Sequence, residues 1–177
     1  MEGLRVHISG IVQGVGFRPF VYGLAVDHAL NGWVRNSSAG VDIEVDGEKY
    51  VLQNFLTRLE NEIPPLARID VFETEWIEAN GFAVFEIVHS EADEGFVPIS
   101  PDVSICEDCL EEMFSPENFR FRYPFINCTN CGPRFTIIGD VPYDRPYTTM
   151  RHYLMCPACQ AEYDDPLNRR FHAQPVA

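Results

Sequence analysis

Residues 4–18 read Leu4-Arg5-Val6-His7-Ile8-Ser9-Gly10-Ile11-Val12-Gln13-Gly14-Val15-Gly16-Phe17-Arg18, and they hold a strand, a turn and the start of a helix in succession. Leu4, Val6, Ile8 and Val12 share one face at period two, as a half-buried strand requires. The glycines that follow allow a sharp reversal and can aim backbone N–H groups at one point, forming an anion nest at a helix N-terminus. Pro19 then stands at a first helical position, and residues 20–30 carry apolar side chains at helical spacing. The glycine spacing fits neither G-x-G-x-x-G nor the Walker loop, and no Lys-Ser/Thr follows, so a nucleotide fold is not indicated.

Working outward, residues 32–36 and 41–46 read as two strands of a hairpin closed by Ser37-Ser38-Ala39-Gly40. Val51, Leu52, Phe55, Leu56 and Leu59 mark a second amphipathic helix over 48–61, with Pro64-Pro65 as its stop. Residues 69–77 and 82–88 complete the set as strands. The order β-α-β-β-α-β, with an extra terminal strand, predicts an α+β fold of the ferredoxin-like, split β-α-β kind. Its sheet is expected to be antiparallel, with two helices on one face. Composition turns polar and acidic at 90–95, which places the domain boundary near 91 and defines domains 1–91 and 92–177.

Arg18 is the informative charge of the first domain. A cation at the positive end of a helix is unfavourable by some tenths of a kcal/mol, and an anion held between the guanidinium and the loop amides reverses that sign. The alternative is a tight turn with Arg18 paired to a carboxylate. Asn36 ends the neighbouring strand, where its amide could face the same loop and hold a water; the alternative is a plain turn asparagine. His7 and His28 are isolated and read as structural.

These residues carry a specific resemblance. The run Gly10-x-Val12-Gln13-Gly14-Val15-Gly16-Phe17-Arg18 and the segment Gly32-Trp33-Val34-Arg35-Asn36 resemble the two signature motifs of the acylphosphatases. The resemblance implies that Arg18 binds the substrate phosphate with the loop residues Gln13, Gly14, Val15, Gly16 and Phe17, and that Asn36 orients the attacking water. Hydrolysis of a carboxylic–phosphoric anhydride has a good leaving group, so positioning and charge stabilisation can suffice. The hairpin departs from the family in one respect, since many acylphosphatases have Asp-Gly where this chain has Ala39-Gly40.

The 177-residue chain has 13 basic and 27 acidic residues, a net charge of −14, with 46% apolar and 23% charged residues. Those proportions exclude disorder, collagen and coiled coil as whole-chain readings. No apolar run approaches the roughly 18–20 residues that span a bilayer, and Met1 to His7 lacks a signal-peptide pattern, so a cytoplasmic protein is expected. The acidic balance, with Lys49 as the one lysine, disfavours nucleic acid as a partner.

All six cysteines lie in the second domain, as Cys106-x2-Cys109, Cys128-x2-Cys131 and Cys156-x2-Cys159, separated by 18 and 24 residues. Two such knuckles make a tetrahedral zinc site, and Gly132-Pro133 suits a knuckle turn. Redox pairs, disulfides and an iron–sulfur cluster are the weaker alternatives. Shifting the sequence by 50 residues superposes Cys106, Cys109, Glu112, Pro116, Asn118, Arg120 and Phe121 on Cys156, Cys159, Glu162, Pro166, Asn168, Arg170 and Phe171. That is a repeat. It predicts further cysteines at 178 and 181, and hence a fragment that stops inside its second module. His172 as a substitute ligand and interleaved pairing of the knuckles stay open. Residues 119–125, rich in Phe and Tyr, are expected to pack the small core of this region.

The acylphosphatase-like half, the three knuckles and the ending Arg169-Arg170-Phe171-His172-Ala173-Gln174-Pro175 together resemble the N-terminal part of the HypF carbamoyltransferases of nickel–iron hydrogenase maturation. The resemblance implies hydrolysis of carbamoyl phosphate as the first step of carbamoyl transfer, toward the cyanide ligands of iron. It implies zinc as cofactor, the remaining domains of a longer chain as partners, and a hydrogenase maturation protein that accepts the carbamoyl group. The rival reading is a zinc-dependent protein-interaction module with a vestigial phosphate site.

Overall fold

Leu4, Val6 and Ile8 are fully buried, and each contributes about 1.5–3 kcal/mol by leaving water. They lie on the first strand of a computed structural model that describes residues 1–37, 39–88, 103–140 and 144–176. Two compact units make up the chain, Met1–Phe96 and Val97–Ala177. The boundary expected near residue 91 lies outside the described residues.

The first unit contains β1 (Glu2–Ile11), α1 (Phe17–Asp27), β2 (Asn31–Ser37), β3 (Gly40–Gly47), α2 (Lys49–Asn61), β4 (Arg68–Ile77) and β5 (Phe85–Ile87). They form one five-stranded sheet in the order β4-β1-β3-β2-β5. The inner pairs are antiparallel, whereas β5 joins β2 in parallel. The sheet is therefore mixed, not wholly antiparallel as expected. β5 also forms over three residues only, because its pairing with β2 is confined to Gly32–Val34 opposite Phe85–Ile87.

One boundary differs from its sequence expectation, and the end of the second helix falls where it was expected. The register of β1 against β4 shifts between Ser9 and Gly10, so β1 ends at Ile11 and Val12 is buried from the loop, not from the strand. Helix α2 stops at Asn61, three residues before Pro64, with the Glu62 N–H donating to the Arg58 carbonyl at 2.8 Å. One core unites the inner sheet face with Val21 and Leu24 of α1 and Leu52, Phe55 and Leu59 of α2. His7 and His28 have the structural partners expected of them: Asp42 Oδ1 at 2.6 Å and the Leu24 carbonyl at 2.8 Å.

The second unit has two eight-residue helices, α3 (Glu107–Phe114) and α4 (Pro157–Asp164), each with the first cysteine of a knuckle at its N-cap position. The 50-residue repeat is visible in the backbone. The Arg122 N–H donates to the Met113 carbonyl at 2.8 Å, and the His172 N–H donates to the Tyr163 carbonyl at 3.1 Å. Arg122 and His172 share a left-handed backbone, with φ of 61° and 50°. Asn118 Oδ1 accepts from the Arg120 N–H and Asn168 Oδ1 from the Arg170 N–H, both at 2.9 Å. Of the aromatic stretch, Tyr123 packs against the cysteine core, but Phe119, Phe121 and Phe125 are exposed. The expectation that the whole stretch fills that core is corrected: a core built on four sulfurs is too small to bury four rings.

Candidate active site and metal centre

The turn between β1 and α1 is anchored from within by Val12, Val15 and Phe17, all buried, so the intervening residues are presented at the surface. Gly14 and Gly16 take φ of 72° and 77°, a left-handed backbone that side-chain-bearing residues rarely adopt. Gly16 is the N-cap of α1, and its carbonyl accepts the Phe20 N–H at 3.1 Å. Arg18 is the second residue of that helix, and the first turn has no acidic side chain.

Sheet register brings Asn36 to the same end of the unit. Val41 of β3 pairs with Ile8 of β1 on one side and Asn36 of β2 on the other. Asn36 is thus two strand spacings, about 10 Å, from Ile8 in the last, turn-ward part of β1. It shares a sheet face with the fully buried Val34, two residues before it, which is the face covered by α1. It sits inside the strand, not in the turn. Its Oδ1 is shielded, and among the described residues no donor reaches it. Buried acceptors are nearly always satisfied, so this oxygen calls for a donor such as water.

Gln13 joins the two pieces. Its Nε2 donates to the Ser37 carbonyl at 2.7 Å and to the Gly40 carbonyl at 2.8 Å, tying the turn to the hairpin that carries Asn36. Sequence reasoning grouped Gln13 with the phosphate-binding loop; here its side-chain amide is spent on position. Gly40 has φ of 152°, and a Cβ there would stand 2.1 Å from the Ile8 carbonyl oxygen, so the hairpin can close against β1 only with glycine. The arrangement can bind an anion at a helix N-terminus beside a guanidinium, with an amide oxygen nearby to orient a water.

In the second unit the sulfurs of Cys106, Cys109, Cys128 and Cys131 all lie within 4.8 Å of one another. The Cys106 and Cys128 sulfurs are 3.5 Å apart, and the Cys128–Cys131 and Cys131–Cys109 sulfurs are each 3.9 Å apart. A tetrahedral ion with metal–sulfur bonds of about 2.3 Å sets sulfurs about 3.8 Å apart, so these residues fit and could hold a metal ion. Gly132, at φ 67°, turns the second knuckle, and its N–H donates to the Cys128 carbonyl at 3.0 Å. Pairing is sequential, first knuckle with second.

Hydrogen bonding among the clustered sulfurs pushes the Cys131 thiol down and the Cys109 thiol up. Cys156 and Cys159 stand apart from this group, Cys156 exposed and Cys159 buried. Among the described residues no third ligand gathers with them, and His172 is stacked on Phe171 at 4.0 Å and Tyr163 at 5.1 Å. Sequence reasoning missed Arg134, whose Nη2 reaches Cys131 Sγ at 3.2 Å, and Arg170, whose Nη1 reaches Cys109 Sγ at 3.1 Å. The repeat signalled Arg170, but not what it touches.

The sheet with its turn, arginine and asparagine defines a domain class. Residues 4–87 match the acylphosphatase family, and they are 42% identical to an acylphosphatase of Bacillus licheniformis over 47% of this chain and 93% of that one. Residues 105–138 and 155–177 match the HypF finger family. Over its whole length the chain is 47% identical to the carbamoyltransferase HypF of Rhodobacter capsulatus, covering 24% of that protein. It also matches a crystal structure of full-length HypF in the phosphate- and nucleotide-bound form, with a TM-score of 0.89 and 51% identity, over 99% of this chain and 23% of that one. The first unit belongs to the acylphosphatase family and the second carries the HypF finger, and the chain spans about a quarter of the length of the HypF relatives it matches. No helix among the described residues is long and apolar enough to cross a membrane.

Proposed function

We propose that the first unit hydrolyses an acyl phosphate, carbamoyl phosphate in particular, as the opening step of carbamoyl transfer in nickel–iron hydrogenase maturation. Arg18 and the loop amides hold the phosphoryl group, Asn36 Oδ1 accepts a hydrogen bond from the attacking water, and Gln13 fixes the distance between them. The P–O bond to the carbamoyl group breaks as the water oxygen bonds phosphorus. Carbamate and inorganic phosphate leave, and the surplus proton passes to solvent. Charge stabilisation and alignment supply the rate. The observation that carries this reading is the shielded, unsatisfied Asn36 oxygen on the face and at the sheet end where the arginine-bearing turn is fastened.

Cys106, Cys109, Cys128 and Cys131 bind zinc as a structural ion, and Cys156 with Cys159 supply half of a second site. Zinc there stabilises the fold and takes no part in hydrolysis. The protein works in the cytoplasm with the remaining domains of a HypF chain, which pass the carbamoyl group to a hydrogenase maturation partner. Phosphate release from carbamoyl phosphate, with and without a chelator, is the test: activity lost in Arg18→Ala but kept with chelator supports the assignment, and equal turnover in Arg18→Ala overturns it.

A further inference from the structure

The two cysteine repeats exchange arginines. Arg170 of the second repeat is only 2% exposed and donates to Glu112 of the first, while Arg120 of the first repeat, 8% exposed, donates to Glu162 of the second. The exchange is reciprocal in sequence, since Arg120 and Glu112 become Arg170 and Glu162 under the 50-residue shift. It is not equal in what the arginines meet. Arg170 Nη1 also donates to Cys109 Sγ at 3.1 Å and to the Asn127 carbonyl. Its neighbour Arg169 donates to the same sulfur at 3.4 Å and to Glu112. The backbone follows, with the Thr129 N–H donating to the Arg169 carbonyl at 2.8 Å, beside Cys128.

Four thiolates around a divalent ion carry a net charge of −2. Within the first repeat Arg134 offsets one charge through Cys131. The remaining cations on the sulfurs come from the second repeat. N–H···S bonds of this kind remove charge from the sulfurs and orient them, and such outer partners typically change metal affinity by 10–100-fold.

We propose that the four-cysteine site of the first repeat is completed in trans by Arg169 and Arg170, so that metal bound there and the ordering of the second repeat stabilise each other. This rests on the metal-site reading above. Reciprocity is obligatory: if the second repeat tightens the metal, the metal tightens the second repeat by the same factor.

The test uses the 177-residue chain and Co2+ as probe, with affinity read from the thiolate-to-cobalt charge-transfer band in competition with a chelator. Arg169→Gln combined with Arg170→Lys is expected to weaken Co2+ by about tenfold to a hundredfold. Arg120→Gln breaks the mirror contact to Glu162 and a looser 3.9 Å pair with Glu112, yet among the described residues Arg120 donates to none of the four sulfurs, and the variant is expected to leave the affinity within about twofold. Hydrogen exchange is the second readout: stripping the metal should speed exchange of the His172 and Ala173 amides, which bond carbonyls inside the second repeat. Equal affinity in the double variant, equal weakening by Arg120→Gln, or unchanged exchange at those amides overturns the proposal while the metal site stands. Absence of any charge-transfer band overturns both.

Discussion

The side-chain amide of Gln13 spans 2.8 Å to the carbonyl of Gly40 and 2.7 Å to that of Ser37, so a turn residue and a hairpin residue 27 positions apart are held as one rigid corner. These bonds tie the turn that carries Arg18 to the hairpin that carries Asn36. Gln13→Ala is expected to lower kcat/KM for carbamoyl phosphate by about tenfold to a hundredfold, since misalignment near 1 Å costs on that order. Stability should fall by about 1–3 kcal/mol as two carbonyls lose their donor. Steady-state kinetics with urea unfolding of the same preparation measures both.

Asn36 separates function from stability in the opposite sense. Asn36→Ala removes a buried acceptor that no described donor satisfies. Unfolding free energy should stay within about 0.5 kcal/mol of the parent or rise, while kcat drops by about a hundredfold. A variant that loses stability and activity together would show the amide to be structural.

Gly40→Ala tests the corner from the backbone side. The added Cβ meets the Ile8 carbonyl oxygen at 2.1 Å from a left-handed backbone, so β3 must part from β1 at Val41. A loss of about 3 kcal/mol or more is expected, read as a fall in thermal midpoint.

Much of this corner was legible in the residues. Alternation of Leu4, Val6 and Ile8 marked β1, and glycines 14 and 16 marked the turn, because each requirement is local. Knuckle spacing and the 50-residue repeat identified the cysteine region for the same reason. The parallel pairing of β5 and the exposure of Phe119, Phe121 and Phe125 were not legible. Each depends on which distant segment occupies a neighbouring place. The bond from Gln13 to the hairpin and the exchange of Arg120 and Arg170 are also tertiary events, and nothing in the spacing of those residues encodes a partner.

Metal removal should act on one unit only. With a chelator at neutral pH, amides over 103–176 are expected to lose hydrogen-exchange protection, because the four cysteines build one of that unit's two small cores. Protection over 1–88 and phosphate release should persist, since that core is continuous without any cysteine.

Acid should loosen the second unit through Glu112. Burial raises its carboxyl, but the Arg170 and Arg169 guanidiniums outweigh burial and hold it below the usual carboxylate range. A depressed value in the folded state means that the stabilisation is full above the unfolded value, near about pH 4.3, and is lost as pH falls through the folded value. The difference in stability between the parent and Glu112→Gln should therefore be constant at neutral pH and shrink in acid, as measured by urea unfolding across pH.

The shared left-handed backbone at Arg122 and His172, and contacts that run from Arg120 to Glu162 and from Arg170 to Glu112, have the form of an isologous interface: residue i meets j, and j meets i. The cysteine region is in that sense a twofold homodimer written on a single chain. The symmetry is broken at the sulfurs, where Arg134, Arg169 and Arg170 all serve the cysteines of one half.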